Sequence, residues 1–535
     1  MSEWWKGGVI YQVYPRSYCD SNGDGQGDLQ GIISKLDYIA SLGVDAIWFS
    51  PLYPSPNADW GYDVSDYFSI HPDFGTMDDF DQLVSECKAR NLRIILDQVL
   101  SHTSSSHPWF QDSLKGGEKS DWYVWANPKP DGGPPNNWLS DFGGPAWKYQ
   151  PQRRQYYHHK FVSDQPALNY HNPQVRQMAL DVLDFWLKRG VDGFRLDVSN
   201  AMYHDASLTD NPPVAMDKRT KWHWAMASHL QRHLHDSNRP ETLDMYRDIR
   251  SHCERYNGSF VLAENHEEFS KLAEYYNHTD SLHSFYTPEL NRSDLPPTFL
   301  ADFMDRYSAM DQSWPCVTMS NHDYVRPAGR HTMSPGFPAD LAHQARFFLT
   351  ILFALRGTVL MYQGEELGLP QARFSSIDET RDPVAHLAWQ TYQGRDGSRT
   401  PMPWTARGEN AGFSPEGAAP WLAIAESHRP LAVDQQTADP GSTLAFTQSL
   451  VKLRHEHAAL RTGDFKTIRA DETIWHVERC SGDERISLVF CFGDQPVNIS
   501  SKSSPLFTLG SGQAAMRAGD IMIFSGPIWL TEIPD

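Results

Sequence analysis

Up to residue 462, short and almost wholly apolar runs alternate with longer stretches whose apolar residues recur at helical spacing. That rhythm predicts parallel strands separated by helices, because a strand buried on both faces is continuously apolar while a covering helix shows one apolar stripe. The predicted strands lie at residues 8–14, 45–51, 93–100, 193–198, 260–264, 316–320 and 358–362, with a weaker one near 282–286. Among the helices, one carries Ile32, Ile33, Leu36, Ile39 and Leu42 on a single face. Another carries Val175, Met178, Ala179, Val182, Leu183 and Trp186, with Asn172 as its cap, Pro173 at its first position and Gly190 past its end. Eight such strands predict an α/β fold, a (β/α)8 TIM barrel.

Two stretches break the rhythm. Residues 103–171 are rich in Trp, Tyr, Pro, Gly, Asn and Asp and hold no long periodic helix, so they predict a subdomain inserted after strand 3 that walls the barrel mouth. From residue 463 the pattern turns to short alternating runs at 473–478, 486–490 and 521–524, which predict a C-terminal antiparallel β-sandwich. The expected organisation is therefore barrel from 1–102 and 172–462, insert at 103–171, sandwich at 463–535, and an extended loop after strand 8 at about 364–430.

Polar residues collect at the C-terminal ends of the predicted strands, where parallel α/β proteins bind ligands. Asp197 closes the run Gly193-Phe194-Arg195-Leu196-Asp197-Val198, Glu264 closes residues 260–264, and Asp323 follows the strand at 316–320. A structural ion pair is the plain reading of Arg195 with Asp197. Three acids meeting at one mouth suit glycoside hydrolysis, which needs a carboxylate nucleophile and a carboxyl acid/base. They also suit divalent-metal binding. The neighbouring Arg195, His102 and His322 favour sugar hydroxyls. A separate loop, Asp20-Ser21-Asn22-Gly23-Asp24-Gly25-Gln26-Gly27-Asp28, carries oxygen side chains at every second position, like the first half of a calcium loop. A plain Asn/Asp/Gly turn gives the same composition. Asp20, Asn22, Asp24, Gln26 and Asp28 are the candidate ligands of a structural Ca2+ or Mg2+.

Composition narrows the class further. A formal charge of −20 excludes a nucleic-acid or anionic-membrane partner. No run approaches transmembrane length and the start has no apolar signal core, so a cytoplasmic protein is expected. The six cysteines are scattered without a CxxC pair, which predicts reduced thiols. Eighteen Trp, 22 Tyr and 26 Phe supply both core and the flat platforms on which sugars stack. The stretch Lys221-Trp222-His223-Trp224 reads as a surface helix that could also line an acceptor site.

In order along nearly the whole chain, these segments resemble the α-amylase superfamily of glycoside hydrolases (family 13). Asp97-Gln98-Val99-Leu100-Ser101-His102 is similar to its first motif and residues 193–197 to its second. Glu264 stands at the acid/base position, and Asn321-His322-Asp323 is similar to the motif holding the third acid. The resemblance implies a retaining enzyme with Asp197 as nucleophile, Glu264 as acid/base, Asp323 and His322 on the 2- and 3-hydroxyls, His102 on O6 and Tyr62 against the ring. It implies no cofactor for catalysis, an Asp197 kept ionised by Arg195, and a Glu264 kept protonated by burial or neighbouring negative charge.

Within the superfamily, Gly394-Arg395-Asp396-Gly397-Ser398-Arg399-Thr400-Pro401-Met402-Pro403-Trp404 and Ser55-Pro56-Asn57-Ala58-Asp59 resemble the α-glucosidase and oligo-1,6-glucosidase branch. There Asp59 and Arg395 would pair across the site and bind O4 of a terminal glucose, which implies exo action on short α-glucosides. In this branch Asp20, Asn22, Asp24 and Asp28 would ligate the metal, while Ser101, in place of Asn, removes the calcium site of true amylases. Val198 is the residue of α-1,6-specific members, but Gln165-Pro166-Ala167-Leu168-Asn169 lacks that group's acid, and Asp210-Asn211-Pro212-Pro213-Val214 resembles compact enzymes preferring α-1,4 disaccharides. The expectation is α-1,4 cleavage, with water or an alcohol or phenol as acceptor. Sucrose hydrolases or isomerases, trehalose synthases, and non-enzymatic transporter heavy chains are the rival readings. The last carry a membrane anchor and lack the acids.

Overall fold

The computed structural model describes residues 3–532 except 220–225, 257, 268, 332, 335, 513 and 514. Its centre is a parallel sheet of β1 (Val9–Val13), β2 (Ala46–Phe49), β3 (Arg93–Gln98), β7 (Gly193–Leu196), β8 (Phe260–Glu264), β9 (Ser284–Tyr286), β10 (Cys316–Val317) and β11 (Thr358–Tyr362). Hydrogen bonding runs in the order β10-β11-β1-β2-β3-β7-β8-β9. The remaining seam is narrow, with Ser284 Oγ 3.1 Å from Cys316 Sγ, so the eight strands form a near-closed TIM barrel. Ile10, Ala46, Trp48, Ile95, Phe260, Leu262, Tyr286, Cys316 and Leu360 fill its inside as one packed layer.

The strands start where a repeated sequence device places them. Gly43-Val44-Asp45 and Gly190-Val191-Asp192 each enter a strand, and each Asp turns its side chain onto an amide at the start of the strand beside it. Asp45 Oδ2 accepts from Val9 N at 2.8 Å, and Asp192 Oδ2 from Ile94 N at 2.9 Å. These amides would otherwise be unpaired donors at the barrel floor. The helix Pro173–Lys188 begins with Asn172 accepting from Gln174 N and buries Val175, Met178, Ala179, Val182, Leu183, Trp186 and Leu187 against the barrel. The stripe at residues 32–42 forms two short helices, Leu29–Ile33 and Leu36–Ser41, rather than one. Asp28 caps the first through Gly31 N, and Lys35 intervenes before the second. Several strands are shorter than their apolar runs, because the last residues, such as Val99 and Leu100, leave the ladder to build the mouth.

The insert after β3 is a small antiparallel sheet of β4 (Trp125–Ala126), β5 (Trp147–Gln150) and β6 (Gln155–His158), ordered β4-β6-β5, with the short helix Pro108–Leu114 beside it. Beyond the barrel, β12 (Asp464–Ala470), β13 (Ile474–Ser481), β14 (Glu484–Cys491), β16 (Pro505–Leu509) and β18 (Ile521–Ser525) make a five-stranded antiparallel sheet. It faces a smaller sheet of β15 (Val497–Ser501), β17 (Ala515–Met516) and β19 (Ile528–Glu532). Ile474, Val489, Met522 and Phe524 of one sheet pack on Val497, Ile499, Met516 and Ile528 of the other, which makes the pair a sandwich. Buried Arg479 on β13 fastens it to the barrel by donating to Ala354 O at 2.8 Å and Gly463 O at 3.0 Å. All six cysteines are unpaired. Among the described residues no helix is long and apolar enough to cross a membrane.

The strand that carries Arg195 tolerates no side chain at its first position. A Cβ on Gly193 would lie 2.1 Å from Phe260 O on β8. Gly193→Ala is therefore expected to destabilise the protein by about 1–3 kcal/mol through forced separation of β7 and β8, measured as a lowered thermal midpoint. An unchanged midpoint would show that these strands can part freely.

Candidate active site

The carboxyl ends of β3, β7, β8 and β9 meet on one buried guanidinium. Arg195, fully enclosed on β7, points into the barrel mouth, with its Nη1 2.8 Å from Asp97 Oδ1 and 2.6 Å from Asp197 Oδ1. Its Nη2 lies 2.5 Å from Glu264 Oε2. Tyr286 Oη, at the end of β9, accepts from Arg195 Nε at 3.0 Å and Nη2 at 2.7 Å, and donates to Glu264 Oε1 at 3.1 Å. Val198 adopts φ +37°, a left-handed conformation costly for a β-branched residue, and its N–H donates to Glu264 Oε2 at 3.2 Å. The strained residue follows directly on Asp197, and its amide ties that turn of the chain to Glu264.

Three buried carboxyls share one cation, so their protons cannot all leave at ordinary pH. Burial pushes Asp97 up to about 6, against the pull of Arg195. Asp197 is pushed well above the usual carboxylate range by burial, which the charges of Glu264 and Asp97 reinforce. Burial acts on Glu264 as well, but Arg195 and then His266 outweigh it and hold it down to about 2. The two directions run opposite to the expected ones, in which Glu264 is raised and Asp197 lowered, and the coupled carboxyls titrate as one group. The reason is geometric: of the three carboxyls only that of Glu264 meets Nη2 and His266, whereas Asp197 divides Nη1 with Asp97.

Asp323 sits across the mouth, about a quarter of its side chain open. Arg399 Nη2 is 2.8 Å and Arg395 Nη1 3.3 Å from its Oδ1. Burial would raise it, but His322, Arg395 and Arg399 hold it well below the usual range. His322 receives a hydrogen bond at Nδ1 from Gln12 Nε2 at 2.8 Å, which leaves the proton on Nε2. That nitrogen donates to Tyr62 Oη at 2.6 Å and faces Asp323 Oδ2 at 3.3 Å, and the Tyr62 hydroxyl passes the chain on to Asp97 Oδ2 at 3.0 Å. Tyr62 and His322 lie flat on one another, 5.3 Å between centroids and 3° between planes. Burial pushes His322 down to about 3 and His102 to about 4, so both are neutral at ordinary pH. His102 is enclosed, its Nδ1 2.9 Å from Ser101 Oγ and its Nε2 2.9 Å from Tyr62 O.

The far end of the cleft is closed by a second ion network. Arg395 Nη2 lies 2.7 Å from both Asp59 Oδ1 and Asp382 Oδ1. The Arg395 guanidinium is stacked on Phe142 of the insert at 5.0 Å, and Phe161 packs between Phe142 and His102. The insert is pinned in place by buried Lys160, whose Nζ bonds Asp236 Oδ2 at 2.9 Å on the long loop after β7. Among the described residues the structure thus gathers Asp59, Tyr62, His102, Arg195, Asp197, Glu264, His322, Asp323 and Arg395 around one cleft. Residues 221–224 lie outside the described residues.

The early loop is separate from this cleft, and its oxygens already have protein partners. Asp20 accepts from the amides of Asn22, Gly23 and Gly25, at 3.1, 2.7 and 2.9 Å. Asp28 accepts from Ser21 N at 2.8 Å and caps a helix at Gly31 N, while Asp24 accepts from Gln26 N at 2.8 Å. Gln26 Nε2 donates to Asp73 Oδ2 at 3.0 Å. Among the described residues no group of three or more His, Cys, Asp or Glu is arranged to hold a metal.

Several site residues carried no usable signal in the sequence. Tyr286 ends the weakest strand, and Gln12 looks like an ordinary interior residue of β1. Asp382 lies in a loop without periodicity, yet accepts from Arg395 N, Nε and Nη2 at 2.6, 3.0 and 2.7 Å. Arg399, within the 394–404 motif, donates to Asp323 Oδ1 at 2.8 Å.

A near-closed parallel barrel with a buried acid cluster on one arginine at its C-terminal rim fits a glycoside hydrolase. The family model for the α-amylase catalytic domain matches residues 12–463. The chain belongs to the α-amylase family, glycoside hydrolase family 13, in its α-glucosidase and oligo-1,6-glucosidase branch, and is an α-glucosidase-type enzyme. It is 43% identical over 502 residues to a probable α-glucosidase of Rhizobium meliloti (strain 1021), covering 92% of this chain and 90% of that one. An oligo-1,6-glucosidase of Parageobacillus thermoglucosidasius is 34% identical over 538 residues, covering 95% and 92%. The crystal structure of the α-glucosyl transfer enzyme XgtA superposes with a TM-score of 0.91 at 41% identity, over 98% of this chain and 100% of that one.

Asp382 supports Arg395 with a charge that is sensitive to acid. Burial opposes its ionisation, but Arg395 outweighs it and lowers the carboxyl from 3.8 to about 2. A depressed carboxyl contributes stability above its unfolded pKa and loses it as pH falls through the folded one. Asp382→Asn is therefore expected to flatten the decline of the thermal midpoint between about pH 4 and 2. A decline as steep as the parent's would remove Asp382 from the account of acid stability.

Proposed function

We propose that the protein is a retaining exo-α-glucosidase that removes the terminal α-glucose of short, maltose-like α-1,4 substrates and transfers it to water or to alcohol and phenol acceptors. The observation that carries this reading is Arg195 bonded to both Asp197 and Glu264. Retaining glycosidases hold their two carboxyls about 5–5.5 Å apart, whereas inverting ones leave about 6.5–9.5 Å for a water. Asp197 would attack C1 while Glu264 protonates the departing oxygen. Glu264 would then take the proton of the incoming water or alcohol. Asp323 and His322 would grip the 2- and 3-hydroxyls, His102 would hold O6, Tyr62 would stack on the ring, and the Asp59–Arg395 pair would bind O4 and stop longer chains from passing. Likeness to a glucosyl transfer enzyme supports the acceptor side of the proposal. Val198 and likeness to an oligo-1,6-glucosidase favour α-1,6 cleavage as the second reading. The oxygen donors of Asp20, Asn22, Asp24 and Asp28 are of the hard type that Ca2+ or Mg2+ takes, and such an ion would brace the loop rather than join the chemistry.

Glucose release from equimolar maltose, isomaltose, sucrose and trehalose tests the substrate. Maltose should lead, Glu264→Gln should lower its turnover by about 10²–10⁴-fold, and Asp197→Asn should abolish it. Isomaltose in the lead would favour the second reading, and silence on all four would refute the proposal. With an alcohol or phenol in excess a glucoside should appear, whereas free glucose alone would exclude transfer. Chelator should lower the thermal midpoint while added Ca2+ or Mg2+ restores it. No shift in either direction would remove the metal.

A further inference from the structure

Glu264 has a neighbour that the chemistry just described does not use. His266 lies two residues beyond it, where β8 has ended and the chain turns along the cleft, and its Nε2 is 3.2 Å from Glu264 Oε1. That oxygen's other partner is Tyr286 Oη, whose proton is fixed by its bonds to Arg195. Glu264 Oε2 faces Arg195 and Val198 N. Among the described groups bonded to the carboxyl, the imidazole is the one that can both give and take a proton near neutral pH. Nearly half of its side chain, 46%, is open to the cleft, so it exchanges protons with solvent. Its remaining surroundings are acidic or neutral. Tyr324 Oη, on the loop after β10, is 3.5 Å from Nε2, and the carboxylates of Asp323 on the same loop and of Asp141 on the insert act on it through space.

We propose that His266 is the proton partner of Glu264, a positioning residue that holds the acid/base carboxyl through Oε1 and exchanges one proton with it in each half of the reaction. This rests on Glu264 being the acid/base. The pair holds one proton in two arrangements: imidazolium beside carboxylate, or neutral imidazole beside carboxylic acid. Burial works against the imidazolium, but the hydrogen bond and charge of Glu264, followed by Asp141 and Asp323, outweigh it and raise His266. The held-down carboxyl of Glu264 is then no obstacle to acid catalysis, since its proton waits one hydrogen bond away. In the first half the Nε2 proton moves to Oε1, and Glu264 delivers a proton to the glycosidic oxygen as the C1–O bond breaks and the Asp197–C1 bond forms. In the second, Glu264 removes the proton of water or alcohol as its oxygen bonds to C1 and the bond to Asp197 breaks. That proton returns to Nε2.

The pair loses its proton when the imidazolium does, so the alkaline limb of kcat/KM belongs to His266 and Glu264 jointly. In His266→Gln the amide can still donate to Oε1, but it supplies no proton, and Glu264 must carry its own against Arg195. The alkaline limb for maltose should move toward acid by about one pH unit or more, with about a tenfold loss at neutral pH. Turnover of p-nitrophenyl α-glucoside, whose leaving group needs little protonation, should change far less. Glu264→Gln, measured beside it, separates the two claims. If that variant turns over maltose normally, the acid/base assignment fails and the proposal with it. If it loses maltose while His266→Gln keeps the parent's alkaline limb, the proposal alone is overturned.

Discussion

The site depends on one buried cation serving three buried carboxyls. Arg195 cannot deprotonate at any ordinary pH, and its planar fork fixes where each partner oxygen lies. Burial disfavours its charge, but Asp97, Glu264, Tyr286 and Asp197 outweigh that cost and keep it protonated. Such an arrangement is a poor device for stability, because desolvating four ions consumes most of what their attraction returns. It is a good device for position. Asp97 anchors the guanidinium from below, and Asp197 and Glu264 then have little freedom to be anywhere other than beside each other.

The barrel makes this meeting possible. The participants come from the ends of four strands, β7 supplying both Arg195 and Asp197, so none needs a long or mobile loop to reach the centre, and the register of β3, β7, β8 and β9 sets their heights. Parallel pairing aligns Asp97 with Arg195 across β3 and β7, and Glu264 with Tyr286 across β8 and β9. Gly193 lets β7 and β8 approach closely enough for Nη2 to reach Glu264. The insert and the loops after β2 and β11 then supply what the barrel lacks, a closed end built from Asp59, Arg395, Asp382 and Phe142. Fold and site are thus linked at the strand ends, and the added segments shape the space above them.

Much of this was legible in sequence because burial and periodicity are local signals. Apolar runs marked seven of the eight strands firmly, and the two stretches without that rhythm proved to be sheets of another kind. Charged residues at the ends of apolar runs pointed to Asp197, Glu264 and Asp323, since such placement is costly without a partner. The supporting shell was less visible, for physical reasons. Gln12 and Asp382 matter through partners more than 300 residues or a whole loop away in space, and nothing local distinguishes them. The length of a helical stripe misled at residues 32–42, where apolar spacing survives a break in the backbone. The directions in which burial and charge move Asp197 and Glu264 were not legible either, because they turn on how Arg195 divides its two nitrogens, a matter of ångströms.

The central claim is that Asp197 and Glu264, held on one guanidinium, act in two successive displacements at the anomeric carbon. Proton NMR of the glucose released from p-nitrophenyl α-glucoside, which gives one glucose per turnover, recorded before mutarotation, tests it most directly. The account predicts the α anomer. Release of the β anomer would mean a single displacement by water, and would contradict the roles given to both carboxyls.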